Sequence, residues 1–473
     1  MATVSKEVKK INTQIRLNPY ILVILSFIVV IMIGSFLLVT PWAQASGTWG
    51  NYMDALFNAV SATCVTGLCT YADGIGHQLT FFGQLVILVM IQIGGLGFVT
   101  VLTFFITLFR NKLLFKDRYF ISQMVGSTSF ADVVKFVRSL ILISFTAETL
   151  GALIGLPVFF QMYPDNKGLA VWNSIFTSVS AFNNAGFDLF GNMSLVCDSA
   201  NPLIFSLPKW AYYYLCTYIM LLIVTGGISF VVIIDIFSFK RFRQFRVFSK
   251  IVLATTATLL LVGWAFFLLS ETLTHGMNSF EALFQSVTLR TAGFATYSQD
   301  NISIVGKVFS CLLMFIGGSP LSTAGGVKTT TAFMIALAMF CYFRGKQVVA
   351  FKRRYSTNMI LKAMSLVFLG LFLITIGFVV SMSLERNGSQ IDDLGLSTDK
   401  GIAILYEVVS AFGTVGVSVG VTPYISIGTK IVLCFLMFLG RLGPITFLQI
   451  FQENMDKRES LHYEYIEEDF LIG

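Results

Sequence analysis

The stretch FNAVSATCVTGL, residues 57–68, returns three more times along this chain. The other copies read FTSVSAFNNAGF at 176–187, FQSVTLRTAGF at 284–294 and YEVVSAFGTVGV at 406–417, and the third is one residue shorter ahead of its glycine. Each copy lies between two long apolar stretches. Four copies of one short polar segment in a membrane chain are expected to surround a common ligand, and an ion on a fourfold pseudo-axis is the obvious candidate.

The composition excludes a soluble domain, because 55% of the 473 residues are hydrophobic and only 12% are charged. A hydrocarbon core about 30 Å thick needs about 20 apolar residues per helix. Six stretches reach that length with at most one charge, and two more are interrupted. These predicted spans are residues 20–40, 79–109, 139–160, 210–234, 251–270 and 363–384, with the interrupted spans around 308–343 and 431–450.

The sequence therefore predicts an all-α polytopic membrane protein with four M1–pore loop–M2 repeats. Each repeat has an apolar helix, a half-helix such as residues 51–63, an extended return and a second apolar helix. Irregular backbone at membrane depth must be buried in protein or line a cavity, so the returns surround a central pseudo-fourfold pore. The predicted units are a cytoplasmic segment 1–19, repeats 20–110, 111–240, 241–346 and 347–452, and a cytoplasmic tail 453–473.

Basic residues predict the orientation. Lys and Arg cluster before residue 20 and at 110–118, 240–250 and 344–354. Cytoplasmic loops carry such an excess, so both termini are predicted to be cytoplasmic and the four glycine segments to enter from outside. This topology accounts for the net charge of +7 without a nucleic-acid partner. Whether the basic loops also dock an acidic partner stays open.

Two other readings of the chain are disfavoured. Ala43-Gln44-Ala45 mimics a signal-peptide cleavage site, but the apolar run before it exceeds the usual ~7–15 residues. An enzyme is disfavoured because HExxH and GxSxG motifs are absent, and the seven cysteines show no metal-binding spacing. No Walker or GxGxxG motif occurs, so no organic cofactor is expected and nucleotide control would come from another chain.

The filter prediction rests on four uncharged residues in each repeat. Without carboxylates, an ion must be coordinated by backbone carbonyls, which suits K⁺ with Na⁺ second, whereas Ca²⁺ favours carboxylates. Helix packing through small residues is the alternative. The predicted filter residues are Val65, Thr66, Gly67, Leu68, Asn184, Ala185, Gly186, Phe187, Thr291, Ala292, Gly293, Phe294, Thr414, Val415, Gly416 and Val417.

A second repeat, rich in glycine, follows each filter within the second apolar span. It reads IGGLGF at 93–98, TGGISF at 225–230, IGGSP at 316–320 and LGRLGP at 439–444. Each second helix is therefore predicted to have a soft or broken middle. Residues 316–331 cannot form a regular helix, because they contain one proline and four glycines.

These repeats and the VTGL, NAGF, TAGF and TVGV filters resemble the Trk/Ktr/HKT superfamily of K⁺ transporters over nearly the whole chain. The start of the first repeat is most similar to KtrB, the membrane subunit of bacterial Ktr uptake systems. The resemblance implies a pore in each subunit of a homodimer in the bacterial plasma membrane. It also implies a cytoplasmic, nucleotide-binding RCK ring (KtrA-like) that gates the pore, and K⁺ uptake that is often Na⁺-dependent. Glycine rather than serine at Gly67 favours K⁺.

The resemblance further makes the third-repeat interruption an intramembrane gate, with a plain helix kink as the alternative. Arg441 takes the place of a glycine in the other repeats, and is implied to contact that loop as a cation barrier; an ion pair with Glu148 is the alternative. Arg290 is expected to brace the filter from behind. The predicted gate residues are Gly317, Gly318, Ser319, Pro320, Ser322, Thr323, Gly325, Gly326, Lys328 and Arg441.

The main functional alternative is a Na⁺- or H⁺-coupled cation symporter of the same fold. Secondary transporters commonly show inverted repeats and carry charged groups near mid-membrane. The four repeats here share one orientation, and Glu148 is the one carboxylate within a predicted span. The pattern thus favours a pore over a coupled mechanism, although coupling stays open.

Overall fold

The computed structural model describes residues 19–97, 133–191, 207–239, 241–274, 276–385, 390–392 and 394–443. The predicted N-terminal segment up to residue 18, the C-terminal tail and the latter part of the span 79–109 lie outside the described residues. Cys197 also lies outside them, and the six cysteines that are described are free thiols.

Each repeat contributes an outer helix, a short buried helix and a second helix. The first repeat contains α1 (Pro19–Val39), α2 (Tyr52–Thr63), α3 (Gly74–Gln78) and α4 (Phe81–Leu96). The second contains α5 (Val133–Met162), α6 (Lys167–Phe182), α7 (Lys209–Gly227) and α8 (Phe230–Ser238). The third contains α9 (Val247–Thr274), α10 (Ser279–Thr288), α11 (Ile304–Phe315) and α12 (Thr329–Phe343). The fourth contains α13 (Thr357–Leu384), α14 (Lys400–Gly413) and α15 (Ile427–Leu442).

The remaining regular structure lies in the connections. Strands β1 (Val349–Ala350) and β2 (Arg353–Arg354) form an antiparallel hairpin between the third and fourth repeats. Single turns of 3₁₀-helix occupy Phe242–Gln244, Gln299–Asn301 and Thr422–Tyr424.

Several helices have the length and surface of membrane spans. Within the described ranges, α5, α7, α9 and α13 are long and apolar enough to cross a membrane, and α1, α4, α11 and α12 contain shorter apolar segments. Large hydrophobic side chains such as Leu142, Leu269 and Phe368 lie exposed on the outer helices. Exposed apolar surface of this kind is stable against lipid rather than water.

Helices α2, α6, α10 and α14 occupy the positions of the predicted half-helices. Each begins at an asparagine or aspartate: Asn51, Asn166, Asn278 and Asp399. These side chains accept hydrogen bonds from the free N–H groups of the first turn, which fixes where each helix starts. Each helix ends as its glycine segment begins, and its last two turns are almost wholly buried. Residues 51–63 therefore form the first half-helix as the sequence predicts.

The second helices break where their glycines predict. Helix α4 ends before Gly97 and α15 before Gly443, both of which have positive φ, while α7 gives way to α8 at Ile228-Ser229. The adjoining glycines also allow close packing. A Cβ atom added at Gly94, Gly226 or Gly440 would collide with the last carbonyls of α2, α6 and α14 respectively.

The four repeats form a closed ring, because each second helix packs against the half-helix of the next repeat. Helix α4 contacts α6, α7 contacts α10, α11 contacts α14, and α15 contacts α2. The last contact joins the fourth repeat to the first, where the Lys430 Nζ lies 2.8 Å from Asp54 Oδ1. Because each half-helix is held by two repeats, the four glycine segments are placed around one axis.

Candidate functional site

The four glycine segments meet in one closed ring. A Cβ atom built on Gly67 would lie 2.6 Å from the Ala185 carbonyl oxygen, and one on Gly186 would lie 2.8 Å from that of Ala292. One on Gly293 would lie 2.7 Å from the Val415 oxygen, and one on Gly416 would collide with the Thr66 oxygen. In each segment the carbonyl before the glycine thus touches the glycine of a neighbour. The structure brings all four predicted segments together at this ring.

The backbone of each segment has two positions with left-handed φ. One is the glycine, which adopts this region without steric cost because it has no Cβ atom, and the other is the residue two positions earlier, which the sequence did not indicate. The φ values of the earlier positions are 57° at Val65, 57° at Asn184, 72° at Thr291 and 50° at Thr414. Branched residues such as Val65 rarely adopt this region, and such strain collects at functional sites.

Hydroxyl groups support the ring from behind. Ser61 Oγ accepts a hydrogen bond from Gly67 N at 3.1 Å, and Ser410 Oγ accepts one from Gly416 N at 3.1 Å. In the other two repeats the hydroxyl donates instead, from Ser180 to the Phe187 carbonyl at 2.6 Å and from Thr288 to the Phe294 carbonyl. The sequence contained an indication of these hydroxyl groups, because the four residues occupy the same position in the four quoted copies of the repeat.

A cavity of about 390 Å³ adjoins the ring on the side of the returning segments. The four glycines of the ring form its floor, and residues that follow them, including Ser418, Gln299 and Thr422, form its wall. Asp188 is the only charged side chain that lines it among the described residues. The cavity therefore favours a cation over an anion.

The predicted gate residues from Gly317 to Lys328 all lie in the connection between α11 and α12. This segment is tied to the second repeat, because Ser319 N donates to the Gly227 carbonyl and Thr323 Oγ1 to the Gly226 carbonyl at 3.0 Å. Lys328 Nζ turns back to the Ala324 carbonyl at 2.7 Å. The segment is thus a defined buried loop rather than a simple kink.

Arg441 joins this loop to the first repeat. Its guanidinium donates to the Thr323 carbonyl and to the Gly94 carbonyl, and reaches the Gly95 carbonyl at 3.2 Å. Glu148 is engaged elsewhere: Gln92 Nε2 donates to it at 2.9 Å and Asn183 Nδ2 at 2.9 Å. Arg441 therefore has the contact with the third-repeat loop that the resemblance implies, rather than an ion pair with Glu148.

Arg290 also lies behind the predicted filter. Its guanidinium nitrogens lie 3.4 Å from the Thr256 carbonyl oxygen and 3.3 Å from the Gly317 carbonyl oxygen. It therefore connects the third filter segment to α9 and to the loop, as a brace.

The helices extend beyond the predicted spans and so contain further buried carboxylates. Glu271 at the end of α9 accepts from Ser303 N at 3.1 Å, and Glu385 after α13 accepts from Ser426 N at 2.7 Å. Both cap the second helix of their own repeat. Asp235 accepts from Ser249 Oγ at 2.6 Å near the start of α9. Each of these three carboxylates has a structural partner.

Residues 3–463 match the TrkH family, described as cation transport protein. The potassium/sodium uptake protein NtpJ of Enterococcus hirae is 34% identical, with 100% of both chains covered. Ktr system potassium uptake protein B of Bacillus subtilis is 32% identical over 98% of this chain and 99% of the relative.

The crystal structure of the potassium transporter TrkH from Vibrio parahaemolyticus shows the same fold. Its TM-score is 0.67 at 18% sequence identity, and the match covers 93% of this chain and 86% of the other. The predicted all-α polytopic fold and the predicted resemblance are confirmed. The protein is a multi-pass membrane transporter and not an enzyme, and the chain belongs to the TrkH family of cation transport proteins.

Proposed function

We propose that this chain is the K⁺-translocating pore subunit of a potassium uptake system. The observation that carries the proposal is the ring in which four carbonyls, those of Thr66, Ala185, Ala292 and Val415, each touch a neighbouring filter glycine. Such a ring replaces the water around a monovalent cation with fixed carbonyl dipoles. One relative named for potassium uptake and one named for potassium/sodium uptake support K⁺ as the ion, with Na⁺ second.

The electrostatics of the half-helices also favour a cation at the ring. Helices α2, α6, α10 and α14 each end at the ring, and a helix C-terminus carries roughly half a negative charge. Four such ends partly offset the cost of removing water from a cation, and no filter side chain is charged. A neutral filter also releases the ion more easily than a carboxylate site would, which favours a high rate of ion transport.

The loop between α11 and α12 is the proposed gate. It lies against the filter from one side, because Arg290 bonds to Gly317 and the Gly325 Cα packs on Thr414. Arg441 adds a fixed positive charge at the loop, which repels K⁺ electrostatically. Displacement of the loop and of Arg441 would therefore open the path to the cytoplasm.

The proposed assembly follows the resemblance to Ktr systems, and relatives named as Ktr system potassium uptake proteins support it. The chain would form a homodimer, with both termini in the cytoplasm, and a cytoplasmic RCK ring that binds nucleotide would move the gate. Na⁺ dependence of the uptake would then belong to the assembled system.

The test is ion flux in proteoliposomes that contain the chain alone, with K⁺, Rb⁺, Na⁺ and choline compared. We expect K⁺- and Rb⁺-selective flux that follows the imposed gradient, or flux that appears once the nucleotide-loaded ring is added. A strict requirement for a Na⁺ or H⁺ gradient would instead establish the coupled symporter. Equal flux of K⁺ and choline would refute the filter.

A further inference from the structure

One position of the repeat, called a column here because it aligns in all four copies, has an acidic residue in only one of them. The residue after the first aromatic of each half-helix segment is Asn58, Thr177, Gln285 and Glu407 in turn. Asn58 Nδ2 donates to Thr70 Oγ1 at 2.9 Å, and Gln285 Nε2 donates to Gln299 Oε1 at 2.7 Å. These partners lie in the segments that return after the filter. In the first and third repeats this position therefore connects the half-helix to the segment that returns after the predicted filter.

Glu407 makes the same tie with a carboxylate. Ser418 Oγ donates to Oε1, and Thr422 Oγ1 lies 2.9 Å from Oε2, so each carboxylate oxygen faces a hydroxyl group. Ser418 and Thr422 both line the cavity, whereas Glu407 is 1% exposed and lies directly behind them. Within the described part of the chain, no Lys or Arg forms an ion pair with Glu407.

The second acidic residue at the cavity is Asp188, and it belongs to the repeat opposite that of Glu407. Two positions after the filter glycine the four repeats have Cys69, Asp188, Ala295 and Ser418. Asp188 thus occupies the wall position that Ser418 occupies in the fourth repeat. Because the ring follows the order of the chain, the second and fourth repeats face each other across the axis. The two carboxylates therefore flank the cavity from opposite sides.

We propose that Glu407 and Asp188 make this cavity a recruiting subsite for monovalent cations, which sets the apparent affinity for K⁺ ahead of the filter. The inference rests on the proposed function, since it concerns the same ion path. Glu407 acts as a positioning charge, through the wall of Ser418 and Thr422, and does not touch the ion. A pocket lined by one sign of charge raises the local concentration of its counter-ion, and salt screens the effect.

The test is the initial rate of K⁺ uptake by proteoliposomes with Glu407→Gln. Glutamine is a matched replacement, because Gln285 already holds the same column in the third repeat. At about 0.01 M ionic strength, where the Debye length is about 30 Å, we expect the KM for K⁺ to rise roughly three- to tenfold. The maximal rate should change less than twofold. At about 1 M choline chloride the two KM values should converge.

A charge-rescue variant separates electrostatics from structure. Gln285→Glu in the Glu407→Gln background returns one carboxylate to the same column of a different repeat, again one layer behind the cavity wall. It should restore most of the low KM if charge is what matters. An unchanged KM in Glu407→Gln would overturn the inference. A raised KM that neither salt nor the second substitution corrects would overturn it too, since that pattern indicates lost packing. Absence of K⁺ flux in the parent protein, with the partner ring present, would refute the proposed function instead.

Discussion

Replacing Gly67 by serine places a Cβ atom inside the filter ring. That atom would lie 2.6 Å from the Ala185 carbonyl oxygen and 3.1 Å from the Gly186 Cα, whereas ordinary contact begins at 3.4 Å. Both obstacles are backbone atoms, so neither can turn away like a side chain. The carbonyl that belongs to the ring must therefore move by several tenths of an ångström.

The energetic cost of Gly67→Ser has two parts, the backbone strain at positive φ and the collision with the neighbouring carbonyl, and a control variant separates them. Gly67 has φ of 101°, and a residue with a Cβ atom pays roughly 1–2 kcal/mol in the left-handed region. Gly395 has φ of 61° but open space around its Cβ position. Gly395→Ser therefore carries left-handed strain without a collision. The difference between the two variants reports the displaced carbonyl.

We expect Gly67→Ser to lower the K⁺ over Na⁺ preference by about tenfold, which corresponds to about 1.4 kcal/mol, and to reduce total K⁺ flux. Gly395→Ser should keep the preference of the parent protein. The assay is paired uptake of K⁺ and Na⁺ into proteoliposomes under equal gradients. An unchanged preference in Gly67→Ser, or the same loss in Gly395→Ser, would refute the assignment of the ring as the selective element.

Three further predictions follow from contacts away from the ring. Arg441→Gln removes the fixed charge and the link from the Thr323 carbonyl to the first repeat, so K⁺ flux of the chain alone should rise severalfold; unchanged flux would argue against Arg441 as part of the gate. Asp54→Asn and Lys430→Met break the pair that closes the ring of repeats, and a double-mutant cycle on thermal inactivation in detergent should give a coupling of about 0.5–3 kcal/mol. Partial burial raises the pKa of Asp300, but hydrogen bonds from Thr398 and Ser397 outweigh it and hold the pKa below its usual range. Because the folded-state pKa is depressed, this stabilisation is present above the unfolded pKa and is lost as pH falls through the folded value, so Asp300→Asn should flatten the acid limb of a thermal-stability profile.

Each of these three predictions has a control variant or a result that would contradict it. Arg441→Lys keeps a positive charge but cannot reach the carbonyls of Thr323 and Gly94 together, so it should release the loop only in part. A coupling near zero between Asp54 and Lys430 would show that helix packing alone closes the ring. For Asp300, the contacts join the third repeat to the loop before α14, since Thr398 N donates to Oδ1 at 3.0 Å and Ser397 N to Oδ2 at 2.9 Å. An unaltered acid limb in Asp300→Asn would show that other groups govern it.

Much of the architecture was readable from local sequence. The capping signal of Asn51 and its counterparts was not used in the prediction, although an N-cap acts within its own first turn. Hydrophobic length predicted the apolar helices, and residues 51–63 predicted a half-helix, because helix length and composition are properties of the local sequence. The glycine pairs predicted the breaks in the second helices for the same reason. Four copies of one segment then implied four equivalent places around an axis.

Tertiary structure decided what these segments touch. No spacing in the sequence shows that Val65 adopts a left-handed φ, or that Arg441 bonds to the Thr323 and Gly94 carbonyls rather than to Glu148. Those contacts join residues from different repeats, and depend on each second helix packing against the half-helix of the next repeat. The sequence by itself determined the repeated elements, since their propensities are local. Only the closed ring decided which carbonyls face one another, because backbone groups carry no side-chain signature and are placed by packing between repeats.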